Sequence, residues 1–396
     1  MDPGYKAVGW VRAVRKLHLT YPIDPPEPNR RVALSWVIAD NLRGRSLVFG
    51  GDNPTYGRKE FQAVAKPLTL YDRVYGCLLG QALGDAFGAA GQMHCLPQPT
   101  VNDLMAPPAS HPIHGGLQLG EYTDDTIFAL AILDSLLEGG KPSATSIARS
   151  FRSAIDRLGL AASVLIGPST RAAIDAWQRG DELGKAGRSG WTNGSVMRVA
   201  LVGLRYPGDF DATVEAAYES AMPTHNTDVA ISSAAAIACA VSRAAVGNPS
   251  VDDIIDAACK GAEKGKRYGY AFIAPSVSRR IRFAVELAKA DKPLLERQRD
   301  IYDLVGTGLP AYEMTAAGLA HLVLAEGDPV EAIRLSTNTG GDTDTTAAIA
   351  GAVAGTLRGA GRFPMDWVEA VNRANRVDLA DYAQRYTQLI QRDMRR

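Results

Sequence analysis

Two short stretches crowd oxygen donors where apolar runs begin. STNTGGDTDTTAAIAG, residues 336–351, holds two aspartates and five threonines, and a small-residue run follows at once. EYTDDTIFALAILDSLL, residues 121–137, repeats the arrangement more than 200 positions earlier. Ser, Thr and Asp cap helix N-termini, so capping accounts for one or two of these side chains. One helix end needs only one or two capping oxygens, and each stretch offers more. The second reading is a hard-metal site: carboxylate and hydroxyl ligands select Mg²⁺, Mn²⁺ or Ca²⁺ over zinc. If the two helix mouths face each other, four carboxylates converge, a charge that two divalent cations would balance. Such a pair of ions orients diol oxygens and activates water. Spacing by itself leaves open whether the two mouths meet.

The elements that would position these residues are helical. From about Tyr71 onward nearly every segment reads as helix, separated by loops carrying Pro, Gly and Asn, with no convincing alternating strand and no fixed-period repeat. YDRVYGCLLGQALGDAFGAAG places Gly76, Gly80, Gly84 and Gly88 on one stripe, where another backbone can approach closely. Glycine costs a helix roughly 1 kcal/mol against alanine, so four in register imply a packing need. No GK[ST] follows, which excludes a P-loop. Gly340 and Gly341 suit a sharp turn or a close backbone approach to a ligand. Asn193 and Gly194 suit a turn or a substrate-side loop. Trp191 is either a core residue or a platform for an aromatic ring. MDWVEAVNRANRVDLADYAQRYTQLIQ reads as one long terminal helix.

Residues 1–70 differ from the rest. They carry the proline cluster YPIDPPEP, a candidate strand SLVFG at 46–50 and an amphipathic helix at 28–44. The expected organisation is therefore a small mixed α/β extension or module at 1–70 and an all-α domain at 71–396. The chain of 396 residues has 43 basic and 43 acidic side chains, a net charge of zero. No basic field exists to hold nucleic acid. No run approaches the ~20 apolar residues of a membrane span, and the N-terminus lacks a signal-peptide core. Cys77, Cys95, Cys239 and Cys259 have neither zinc nor disulfide-framework spacing. These features predict a cytoplasmic protein with buried free thiols.

GCLLGQALGDAFG, GEYTDDT, TNGSVMR, THNTDVA and NTGGDTDTTAAIAGAVAGTLRG, in that order, resemble the ADP-ribosylglycohydrolase family. The likeness runs from about residue 71 to 390. It implies an all-α fold with a central two-metal site for Mg²⁺ or Mn²⁺. It implies Thr123, Asp124 and Asp125 as one ligand trio and Asp342, Asp344 and Thr345 as the other. It places Asp85 beside the metals and makes His225, inside the THNTDVA motif, either a proton shuttle or a structural histidine. His94, His111, His114 and His321 show no metal-ligand spacing.

The chain departs from the family pattern at Gln92, where many members have glutamate. It departs again at Leu165, where nitrogenase-type members have aspartate, and at Thr346, where asparagine is frequent. An amide is no general base, so Gln92 is expected to bind substrate by hydrogen bonding. That leaves the metal site, or Glu121 just before the first cluster, to take the proton. The resemblance implies hydrolysis of the glycosidic bond of an ADP-ribosyl group, with protein-linked ADP-ribosyl-arginine as first substrate. Asp124, Asp125 and Asp344 would be catalytic; Asn193, Gly194, Gly340, Gly341 and His225 would contact substrate. Two alternatives stand beside this: an N-glycosidase on a free nucleoside or NAD-derived metabolite, and an immunity or binding protein directed through residues 1–70 at an ADP-ribosylating enzyme.

Overall fold

The computed structural model describes residues 67–92, 101–160, 163 and 165–395. The expected extension, the 28–44 helix and the 46–50 strand lie outside the described residues, as do Cys95 and His94. Among the described residues there is no β-strand, only isolated bridges pairing Thr192 with Pro310 and Thr227 with Tyr270. The helices, in chain order, are α1 (Leu70–Gly88), α2 (Asp124–Gly139), α3 (Ala144–Leu158), α4 (Pro168–Gln178), α5 (Leu183–Ala186) and α6 (Ala200–Gly203). Then come α7 (Phe210–Ala221), α8 (Asp228–Ala244), α9 (Val251–Gly265), α10 (Val277–Ala288) and α11 (Leu294–Asp300), which runs on into a π turn at Ile301–Val305. The last are α12 (Ala311–Leu324), α13 (Pro329–Thr339), α14 (Thr343–Arg358), α15 (Met365–Asn375) and α16 (Leu379–Met394).

α1 and α14 form the axis of the fold. Thr69 and Asp72 close a capping box at the start of α1. From Arg73 onward all but one of its residues, Tyr75, are buried, as an apolar helix in a core requires. The glycine stripe explains the partner. A Cβ on Gly76, Gly80, Gly84 or Gly88 would come within 2.1 Å of Gly355 O, 2.0 Å of Gly351 O, 2.2 Å of Ala347 O or 2.4 Å of Thr343 O. As the number falls on α14 it rises on α1, so the helices are antiparallel. The C-terminus of α1 thereby meets the N-terminus of α14, bringing Asp85 and Gln92 to Asp342 and Asp344. The alanine-rich α8 packs on α9, α12 and α14 and is buried along most of its length.

One sequence expectation is corrected and one helix is added. The terminal helix is two helices: Arg376 takes the left-handed conformation, with φ 51°, and the Asp378 side chain caps α16 by accepting from Ala380 N and Asp381 N. Leu294–Asp300, which has no distinct helical period in the sequence, is α11, with only Gln298 buried in it. A helix with so little core face has little hydrophobic periodicity to read. Cys77, Cys239 and Cys259 are buried free thiols, as expected.

Candidate active site

The two oxygen-rich stretches meet. Asp124, Asp125, Asp342, Asp344 and Thr345 line one cavity of about 200 Å³, together with Gln92, His114, Thr192, Asn193 and Gly194. Neither N-cap residue, Thr123 for α2 or Asp342 for α14, makes a side-chain capping bond to its own helix. The first turn of α2 is held instead by Asp85 of α1. That carboxylate is wholly buried and accepts from Thr123 N at 2.9 Å, Thr123 Oγ1 at 2.8 Å, Thr126 N at 2.9 Å and Thr126 Oγ1 at 2.6 Å. Asp85 thus takes over the capping, and Asp124 and Asp125 are left to face the cavity. Both helix N-termini direct the positive ends of their dipoles toward these carboxylates.

The second cluster is held by amides. Gln92 Nε2 donates to Asp342 Oδ1 at 2.7 Å and to Asp344 Oδ1 at 2.9 Å, and Asn193 Nδ2 donates to Asp342 Oδ2 at 2.6 Å. Gly340 and Gly341, at φ 95° and 86°, make the sharp turn that delivers Asp342. A Cβ on Gly341 would lie 2.2 Å from Thr307 Oγ1, and Asp342 N donates to Thr307 O at 2.8 Å. Neither glycine lines the cavity; their service is to the turn.

Burial and mutual repulsion govern the electrostatics of the cavity. Burial, joined by mutual repulsion, raises the carboxyls of Asp124, Asp125 and Asp342 well above the usual range. Burial also raises Asp344, to about 6. Arg198 is fully buried against the rings of Phe128 and Phe151 and bonded to Thr224 Oγ1 at 2.6 Å. Burial pushes its guanidinium down to about 9, against the attraction of Asp124 and Asp125. Asp125 Oδ1 and Gln92 Oε1 are buried oxygens without a hydrogen-bond partner. Uncompensated carboxylates, orphaned oxygens and an all-oxygen donor set at two helix mouths fit hard divalent cations. Among the described residues no three acidic, His or Cys side chains already form a ready-made ligand shell. The amides of Gln92 and Asn193 hold Asp342 and Asp344 instead.

Other expected residues fall elsewhere. Glu121 accepts from Gln118 N at 2.6 Å and lines a separate depression with Tyr122, Arg157 and Tyr382. It does not share the cavity of the aspartates, which removes it as their proton acceptor. Leu165 lines both cavities and lies between them. His225 is fully buried, bonded through Nδ1 to Thr224 Oγ1 at 2.7 Å and through Nε2 to Thr192 Oγ1 at 3.0 Å. Burial drives its pKa far down, so it supports Thr192 from below as a structural histidine. Gly194 packs on its ring, where a Cβ would come within 2.7 Å of His225 Cε1. Trp191 stacks on Phe272 at 6.1 Å.

A family model described as ADP-ribosylglycohydrolase matches residues 66–396. The chain belongs to the ADP-ribosylglycohydrolase family. The Escherichia coli K12 protein YegU is 30% identical over 321 residues, covering 79% of this chain and 95% of its own. ADP-ribosylarginine hydrolase Tri1 of Pseudomonas putida GB-1 is 28% identical over 356 residues, 87% and 86% of the two chains. Human ADP-ribosylhydrolase ARH3 is 26% identical over 346 residues, 78% and 91%. A solved structure described as an ADP-ribosylglycohydrolase-related protein complex superposes with a TM-score of 0.61 at 25% identity, covering 81% of this chain and 98% of that one. The ADP-ribosylglycohydrolase family is generally metal-dependent, and its members hydrolyse ADP-ribose linkages. No helix among the described residues is long and apolar enough to cross a membrane.

The site residue that sequence reasoning missed is His114. It is 2% exposed, lines the cavity, and sets Nε2 3.2 Å from Asp344 Oδ2. It comes from the irregular HPIH segment, where no helical period announces a direction. Arg198 was missed as well, although TNGSVMR contains it. Its full burial depends on two aromatic rings supplied by α2 and α3.

Proposed function

We propose that the chain hydrolyses the bond between C1″ of ADP-ribose and a protein side chain, with arginine as first substrate, using two divalent cations, Mg²⁺ or Mn²⁺. The observation that carries this reading is the meeting of four aspartates from two helix mouths in one cavity, with Asp124, Asp125 and Asp344 buried and Asp342 half-buried. Thr123, Asp124 and Asp125 would hold one side of the metal pair; Asp342, Asp344 and Thr345 would hold the other. Bound cations would supply ribose-hydroxyl orientation and Lewis-acid activation of water for an oxocarbenium-like transition state. Asp85 fixes the α2 mouth, so that Asp124 and Asp125 need no reorganisation when substrate arrives. Gln92 aligns Asp342 with Asp344 through its Nε2 and keeps its Oε1 for a hydroxyl or water donor. Asn193 and Thr192 bound the ribose side, and His225 beneath keeps Thr192 in place. The choice of arginine is supported by the relatives named as ADP-ribosylarginine hydrolases.

The test is release of ADP-ribose from arginine-, serine- and DNA-linked substrates with each cation. Release from arginine that chelation abolishes is the expected result. Cleavage confined to free nucleosides, or release indifferent to chelation, would refute it.

A further inference from the structure

We propose that His114 is a nitrogen ligand of the metal cradle and that it biases the cradle toward Mn²⁺ over Mg²⁺. The inference rests on the metal reading above, and it concerns a residue outside the two oxygen trios. His114 Nε2 stands 3.2 Å from Asp344 Oδ2, yet neither ring nitrogen makes a hydrogen bond. A buried polar group left in that state is costly and requires an explanation. The ring is 2% exposed and faces the cavity that the four aspartates share.

The placement is built. His111 Nε2 lies 2.9 Å from Gln92 O, while its Nδ1 accepts from His114 N at 2.9 Å and Ile113 N at 3.3 Å. The His111 and His114 rings stack with centroids 5.2 Å apart and planes 18° apart. The loop that carries His114 is therefore anchored to the same residue, Gln92, whose amide spans Asp342 and Asp344. An imidazole nitrogen and a carboxylate oxygen, both facing one polar cavity, make a mixed N/O donor pair for a cation. Mg²⁺ takes oxygen donors in strict octahedra and keeps its waters; a nitrogen donor suits a transition metal better.

The experiment uses the whole chain, stripped of metal and given substoichiometric Mn²⁺ in the presence of Mg²⁺. Pulsed electron paramagnetic resonance then reads nitrogen nuclei coupled directly to Mn²⁺. The expected result is directly coupled ¹⁴N in the wild type, replaced by ¹⁵N coupling after ¹⁵N-histidine labelling and lost in His114→Ala. By calorimetry, the preference for Mn²⁺ over Mg²⁺ should fall about tenfold or more in His114→Ala. If that variant fails to fold, the labelled wild type still decides. Bound Mn²⁺ without directly coupled nitrogen overturns this inference and leaves the oxygen cradle standing. A wild type that binds neither ion overturns both.

Discussion

Gly88→Ala should damage the metal site more than it damages the fold, and Gly76→Ala should do the reverse. Both lie on the stripe that seats α1 on α14. At Gly88 an added Cβ would sit 2.4 Å from Thr343 O and 2.5 Å from Asp344 Cα, where ordinary contact begins near 3.4 Å. Opening that gap moves the first turn of α14 by about 1 Å, and Asp344 with it. Alanine returns up to ~1 kcal/mol of helix propensity, while over-packing costs about 1–3 kcal/mol. The net loss of stability is therefore about 0–2 kcal/mol. A 1 Å displacement of a positioning group costs on the order of 100-fold in rate. Gly76 is twelve residues away, roughly 18 Å along α1, and its added Cβ would meet Gly355 O at 2.1 Å. Its variant should lose stability at least as large while keeping metal affinity. Calorimetric titration with Mn²⁺ and thermal melting of both variants separate the effects. Wild-type affinity in Gly88→Ala, or equal losses in the two variants, would show that the stripe does not set the spacing of the cradle.

Asp344→Ala should abolish tight binding of at least one ion, because no neighbouring carboxylate can take its place; unchanged stoichiometry in a Mg²⁺ or Mn²⁺ titration contradicts this. Gln92→Glu removes donors 2.7 and 2.9 Å from two carboxylates and adds a charge. The metal-free variant should lose about 2–3 kcal/mol or more, with turnover impaired, and a gain in ADP-ribosyl-arginine release would refute the assignment. Asp344 is raised from its ordinary 3.8 to about 6, worth on the order of 3 kcal/mol. Because the folded pKa is the higher one, this stabilisation is complete in acid below ~4 and is lost as pH rises through about 6. Metal-free protein should therefore gain stability relative to the bound form as pH falls from about 7.5 to about 5, and saturating cation should raise the melting temperature most at the upper pH; ~100 Kd of ligand adds about 2.7 kcal/mol. A cation-induced shift independent of pH would contradict the sign.

What could be read from the sequence was what repeats along one element. Gly76, Gly80, Gly84 and Gly88 recur every four residues, so helical geometry puts them on one face whatever lies opposite. Asp124, Asp125, Asp342 and Asp344 sit beside apolar periodic runs, so their place at helix mouths was legible, and the ordered family motifs pointed to their use. That α14 is the partner of the stripe depended on Gly351, Gly355 and Ala347 meeting it more than 250 residues later. Only that antiparallel contact brings Gln92 to Asp342 and sets α1, whose Asp85 holds the mouth of α2, beside the mouth of α14. Glu121 and Asp124 are three residues apart yet face different cavities, because the chain is extended up to Thr123 and turns into helix there. His225 and His114 are the same residue type with opposite fates, one sealed under Thr192 and one facing the aspartates. Nothing in a residue's type records which side of a cavity wall it will occupy; that is decided by the packing of segments distant in sequence.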